Sequence, residues 1–231
     1  MPPGVTTQPA SLTGAHLRTP QAAAVAGIVF SILMMSALVL LRLSVPDNPL
    51  EPGAWLGTDS NRVAIALNLV PFAGIAFLWF IGVLRARLGE REDRFFATVF
   101  LGSGLLFLAM LFVAAGTAGA VIMAYSAHAE AIPQSATFSL ARALSYGIMN
   151  VYAVKVAGVF MITTSTIVIY TAIAARWIAY LGYALAVLLI FGGALTDWTF
   201  IVFPLWILLL SGDILIDDLR RTATPEASER S

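Results

Sequence analysis

Three polar side chains stand inside or beside long apolar runs, and each carries a reading as chemistry and a reading as structure: Asp213, Lys155 and Asn68. Asp213 follows Ser211 and Gly212 and precedes Arg220 by roughly 10 Å of helix. A carboxylate buried at that depth must pair with a cation or hold a proton, which is the equipment of ion- or proton-coupled transport. The same residues also fit a last helix that emerges at Ser211-Gly212, with Asp213, Asp217, Arg220 and Arg221 as its wetted end and Asp217 with Arg221 as an ordinary pair one turn apart. Lys155 lies in an apolar helix, where a charge marks an ion or substrate path by default. Its separation from Arg176, roughly 31 Å along a helix, equals about one bilayer thickness, so both can sit at interfaces with Lys155 snorkelling outward. Pro71 and Pro204 fall within apolar runs, freeing the carbonyls of Leu67, next to Asn68, and of Phe200. Broken helices line ion and substrate sites in some transporters and are tolerated kinks in others.

Enzyme chemistry lacks its parts. The chain has no cysteine and two histidines, His16 and His128, which excludes thiolate catalysis, cysteine-held metal clusters and haem ligation by paired intramembrane histidines. No HExxH, Walker loop or GxSxG elbow occurs. Ser211-Gly212-Asp213 matches the end of an intramembrane aspartyl protease motif, but the preceding glycine and a second buried aspartate beside a tyrosine are missing. The expectation is a protein without catalytic set, metal or cofactor.

The elements that must position these residues are membrane spans. Hydrophobic residues make up 59% of the 231 positions and charged residues 11%, against roughly 25% charge in a soluble domain. The mean hydropathy of +0.88 says the same. The charges cluster around Arg85–Arg94 and Asp213–Arg221 and leave long uncharged runs between them. Six transmembrane helices follow, at about residues 20–42, 62–85, 95–125, 151–175, 177–195 and 198–216, in an all-α bundle. Residues 1–19 and 222–231 read as disordered tails, and Ser44 to Asn61, rich in Pro and Gly, as an irregular loop. The third apolar run, Phe95 to Tyr125, spans roughly 46 Å as a helix, so it tilts or projects beyond a hydrocarbon layer of about 30 Å. Phe138, Ala141, Leu144 and Ile148 recur at helical spacing with Arg142 among them, as in a helix lying at the interface. The last run, Phe200 to Leu210, is the shortest and the one most open to a re-entrant reading.

Orientation follows from the basic residues. With the N-terminus inside, nine Arg fall on the cytoplasmic side and Arg42, Arg62, Arg142 and Lys155 on the outer side, so both termini are expected in the cytoplasm. The zero net charge gives no surface for nucleic acid. The partners to expect are the lipid bilayer and, through Ala115 with Gly119 and Gly116 with Ala120, other membrane proteins or a second copy, because small residues four apart allow close helix approach. Thr163, Thr164, Ser165 and Thr166 are expected to bond to backbone or to adjacent helices.

Asn68-Leu69-Val70-Pro71-Phe72, Arg91-Glu92-Asp93-Arg94-Phe95-Phe96 and Leu101-Gly102-Ser103-Gly104 together resemble a group of multi-span membrane proteins of actinobacteria, over about residues 62–113. The resemblance implies a bacterial plasma membrane, as does the use of Arg over Lys, and brings no activity with it. Two functions remain open: a non-enzymatic membrane component or subunit, which suits the scarcity of buried polar groups, and a small transporter or channel subunit, which would use Asp213 or the Asn68-Pro71 kink.

Overall fold

The computed structural model describes residues 19–46, 48, 53–88, 94–192 and 199–223, and among them every regular element is helical. Hydrocarbon offers no partner to an open N–H or C=O, so a spanning chain must satisfy its backbone within each helix. The helices are α1 (Thr19–Ser44), α2 (Leu56–Leu88), α3 (Arg94–Ala127), α4 (Ala136–Gly147), α5 (Val154–Thr171), α6 (Arg176–Phe191) and α7 (Val202–Ala223). A π-helical stretch, Ile148–Ala153, joins α4 to α5 without a break, so the seven helices make six rods.

Five of the rods are long and apolar enough to cross a bilayer, with mean hydropathies between 1.7 and 2.6. The sixth, α6, has 16 residues, about 24 Å of rise against a hydrocarbon layer of about 30 Å. The short crossing is therefore α6, and the last run is not the weak one: it belongs to an apolar stretch from Thr199 to Arg220. Its burial does not end at Leu210, because Ser211 is fully buried and Ile214 nearly so.

Other boundaries differ from the sequence reading for local reasons. A 3-10 turn, Gly53–Trp55, leads into α2 at Leu56, inside the stretch expected to be loop. Asp59 in the first turn of α2 suits the positive end of the helix dipole and pairs with Arg62 at 3.0 Å. α5 stops at Thr171, short of Arg176, because Ala172 turns left-handed at φ 50 and donates its N–H to the carbonyl of Val168 at 2.9 Å. α4 is capped by Ser135, whose hydroxyl accepts from the N–H of Phe138 at 3.1 Å. Gly147 is taken up within the helix, and the π stretch carries the rod on into α5. α7 runs through Thr222 and Ala223, which the sequence places in a tail. The tails at 1–18 and 224–231, the hairpin around 89–93 and the turn at Thr196-Asp197 lie outside the described residues.

The rods stand in a circle: α1 packs between α2 and α7, α5 between α3 and α6, and the contacts α2 to α3 and α6 to α7 close it. Its centre is filled by phenyl rings from five helices. Phe30, Phe77, Phe107, Phe160 and Phe203 are all buried to 1% exposure or less. Their centroids lie 4.7 Å apart for Phe30 and Phe77, 5.2 Å for Phe77 and Phe160, and 4.8 Å for Phe107 and Phe203. Lipid tails are as apolar as a protein core, so the bundle gains from packing rather than from leaving water, and each aromatic pair adds roughly 0.5–1.5 kcal/mol of its own. Gly27 lets α1 approach Ser211 and Phe80, and Gly182 lets α6 approach Ser165 and Trp206; a Cβ at either would collide. Trp206 then donates its indole N–H to the carbonyl of Ile178 at 3.1 Å, locking α7 to α6.

Candidate functional site

The polar residues singled out in the sequence are dispersed, and Asp213 and Asn68 are each held by a local hydrogen bond. Asp213 is half-buried, and its Oδ2 accepts from the backbone N–H of Ala175 at 2.7 Å. Ala175 is the extended residue that precedes α6, so the carboxylate of α7 sits at the positive end of α6. Asn68 is exposed and donates its amide to Ala64, one turn back in its own helix, at 2.8 Å. Lys155 is exposed on the outside of α5, a turn and a half before buried Phe160. Among the described residues no group of three His, Cys, Asp or Glu could hold a metal.

Pro71 lies in the interior of α2, which continues through it from Leu56 to Leu88. Pro204 is not an interior kink. α7 starts at Val202, which puts Pro204 in the first turn, where its missing N–H would have had no partner in the helix. Of the hydroxyls in α5, Thr163 donates to Phe160 at 2.9 Å, and Thr166 bonds Ile162 and, at 2.7 Å, Tyr183 of α6. Thr164 and Ser165 are buried with no hydrogen-bond partner among the described residues, against expectation, and Ser165 lies against Gly182 of α6.

The concave feature of the bundle lies elsewhere, at the end where the α1–α2 and α3–α4 connections meet. There Gly53 donates its N–H to the carbonyl of Pro133 at 3.1 Å, and the rings of Trp55 and Phe138 stand 6.5 Å apart. Below them a cleft of about 230 Å³ opens between α1, α2, α3 and the α4–π rod. Its walls are apolar: Met34 and Leu38 from α1, Leu67 and Val70 from α2, Leu111 and Ala118 from α3. Phe200 lines it as well, and its ring lies 6.3 Å from Phe107 of the aromatic centre. The π stretch supplies Met149 and Asn150 to the wall. There the N–H of Val154 reaches back five residues to Met149, and the amide of Asn150 donates to Tyr146 at 3.1 Å. Such turns recur at functional sites because the extra residue re-aims the side chains around it.

Polar groups gather at the mouth. Arg42 ends α1, and Arg142 of α4 donates to the carbonyl of Pro46 at 2.6 Å; both guanidinium groups are half-buried and line the cleft. Trp55 lines it too, and its indole N–H is buried with no acceptor among the described residues. The Arg142 to Pro46 bond ties α4 to the residues that follow α1.

The sequence reading placed Arg142 on a helix with an apolar face but did not connect it to Arg42, 100 positions away. No motif marks the cleft. A signal that could have found it is the pair of Arg flanking the polar connections, with Trp55 between them in the chain. Comparison with protein-family models, with characterised proteins and with solved structures yields no match.

Proposed function

We propose that the chain is a non-enzymatic component of a bacterial plasma membrane, both termini cytoplasmic, that works by holding a ligand in the cleft and passes no solute through the bundle. The observation that carries this reading is the aromatic centre of the bundle. Solute crossing needs a hydrated path through the bundle, whereas five helices fill its centre with phenyl rings whose centroids lie 4.7–6.0 Å apart. The side chains that a transporter would use support the same view, since Asp213 caps α6 and Asn68 bonds its own helix. The outer face of α3 fits a second role, contact with a neighbouring membrane helix, because Gly116 and Gly119 have open space where a Cβ would sit.

Two measurements on protein reconstituted in liposomes test the proposal. Proton and potassium fluxes should equal those of empty liposomes, and a photoactivatable acyl chain should label Met34, Leu38 or Met149 in the cleft. Flux above background that the Phe77→Ala variant increases, with no labelling in the cleft, would sink the reading.

A further inference from the structure

We infer that the cleft holds a stretch of one hydrocarbon chain of a membrane phospholipid and is indifferent to the headgroup that the chain carries. The inference rests on the binding role proposed above and names its ligand.

The surroundings supply the occupant. Met34, Leu38, Leu67, Val70 and Leu111 line the cleft from within the stretches Gln21–Ser44, Gly53–Arg85 and Phe95–Ala127, each long and apolar enough to cross a bilayer. Such segments are bathed in lipid chains, and an apolar space of this kind stays free of water. Left unfilled, its lining would lose the dispersion contacts that close packing provides. A lipid chain restores them.

Size limits the occupant to part of a lipid. A cavity of about 150 Å³ with apolar walls holds benzene, so by proportion the cleft of about 230 Å³ has room for roughly nine carbons. That is a stretch of one chain, not two side by side. The room comes from α3, where Ala114, Ala115 and Ala118 recur at helical spacing on the face that lines the cleft.

The polar lining is mostly engaged by the protein itself. Arg142 donates to the carbonyl of Pro46 at 2.6 Å, Ser145 to that of Ala114 at 3.3 Å and Asn150 to that of Tyr146 at 3.1 Å. Arg42 has an interaction of its own, and the indole N–H of Trp55 is buried from the open space. A headgroup at the cleft therefore meets donors that already have acceptors. The chain, for its part, exchanges one apolar surrounding for another. Shape, not charge, decides what is held.

Native mass spectrometry of the detergent-purified chain tests this with three lipids: phosphatidylcholine and phosphatidylglycerol of identical straight chains, and phosphatidylcholine of methyl-branched chains. The two straight-chain lipids should be retained alike, within about threefold. The branched lipid should be held about tenfold more weakly, because extra methyl groups overpack a filled space. Ala118→Phe, which fills the cleft, should cut retention of the straight-chain lipids about tenfold. Leu67→Ala, which widens the cleft at α2, should raise retention of the branched lipid towards that of the straight ones, a gain that a misfolded chain could not show. A tenfold preference for either headgroup, or equal retention of branched and straight chains by the native protein, would overturn the assignment. If Ala118→Phe still cuts retention in those cases, the cleft binds and only its ligand is wrong. Retention indifferent to Ala118→Phe, or a dimer that Ala118→Phe abolishes, would remove the ligand-binding role as well.

Discussion

The carboxylate of Asp213 and the backbone N–H of Ala175, 38 residues apart in the chain and 2.7 Å apart in space, tie the last helix to the start of α6. The bond adds a second tie to the one that Trp206 makes with Ile178, between two helices that meet over a short length. Substituting Asp213 with Ala should therefore destabilise by about 1 kcal/mol, the usual cost of losing a capping oxygen at a helix start. Asp213→Asn keeps an acceptor and should cost only part of that. Thermal unfolding of the two variants in one detergent measures the difference. Identical melting of both variants and the native chain would mean that the carboxylate carries no structural load.

Two glycines offer a matched comparison. Gly182 faces Ser165 and the ring of Trp206, whereas nothing lies within 4 Å of where a Cβ would stand on Gly102. Gly182→Ala should cost about 1–3 kcal/mol through overpacking. Gly102→Ala should be neutral or stabilise by up to about 1 kcal/mol through helix propensity. Trp206→Phe removes the bond to Ile178 and should cost about 1 kcal/mol. Reversal of the order of the two glycine variants in a denaturant titration would show that α6 does not sit against Trp206 as described.

Much of this architecture is legible in the sequence because hydrocarbon is a severe solvent. Any uncharged run long enough to cross it must be a helix, which fixes α1, α2, α3, α5 and α7 from hydropathy alone. What is not legible depends on partners that carry no side-chain signature. The acceptor role of Asp213 is met by a backbone N–H at Ala175, and a backbone amide looks the same at every position. Ser211 and Gly212 look like the end of a span, yet Ser211 is buried because Gly27, far off in α1, makes room for it. α2 starts early for a similar reason: Gly53 and Trp55 are held by Pro133 and Phe138 from another connection. The π stretch has no composition of its own. Apolar residues follow Gly147 as they would in an α-helix, and only the demand that Phe138 meet Trp55 while Phe160 reaches the centre selects the wider turn.

Orientation in the membrane rests on the basic residues and has a direct test. The absence of native cysteine makes single Cys probes clean. Gly57→Cys, near the cleft mouth, should react with an impermeant maleimide from outside intact cells, and Gly89→Cys only after permeabilisation. The reverse pattern would place the cleft in the inner leaflet and leave its chemistry unchanged.

The π stretch makes the sharpest prediction, because a single deletion should convert it. One residue contributes roughly 100° of turn in an α-helix, so the extra residue between α4 and α5 sets their relative rotation by about that amount. Removing exposed Val151 lets the rod settle into continuous α-helix with no loss of backbone bonds. α5 stays in place through Phe160, which is fixed against Phe77 and Phe100 at 5.2 and 5.0 Å, so α4 is the part that rotates. Arg142 then leaves Pro46 and Phe138 leaves Trp55, which dismantles the mouth while the aromatic centre is untouched. Spin labels at Gly57 and at exposed Leu140 of α4 should show the distance distribution move by several Å on deletion of Val151. Helical content by circular dichroism should stay level. An unmoved distribution would mean that the wide turn does not aim α4.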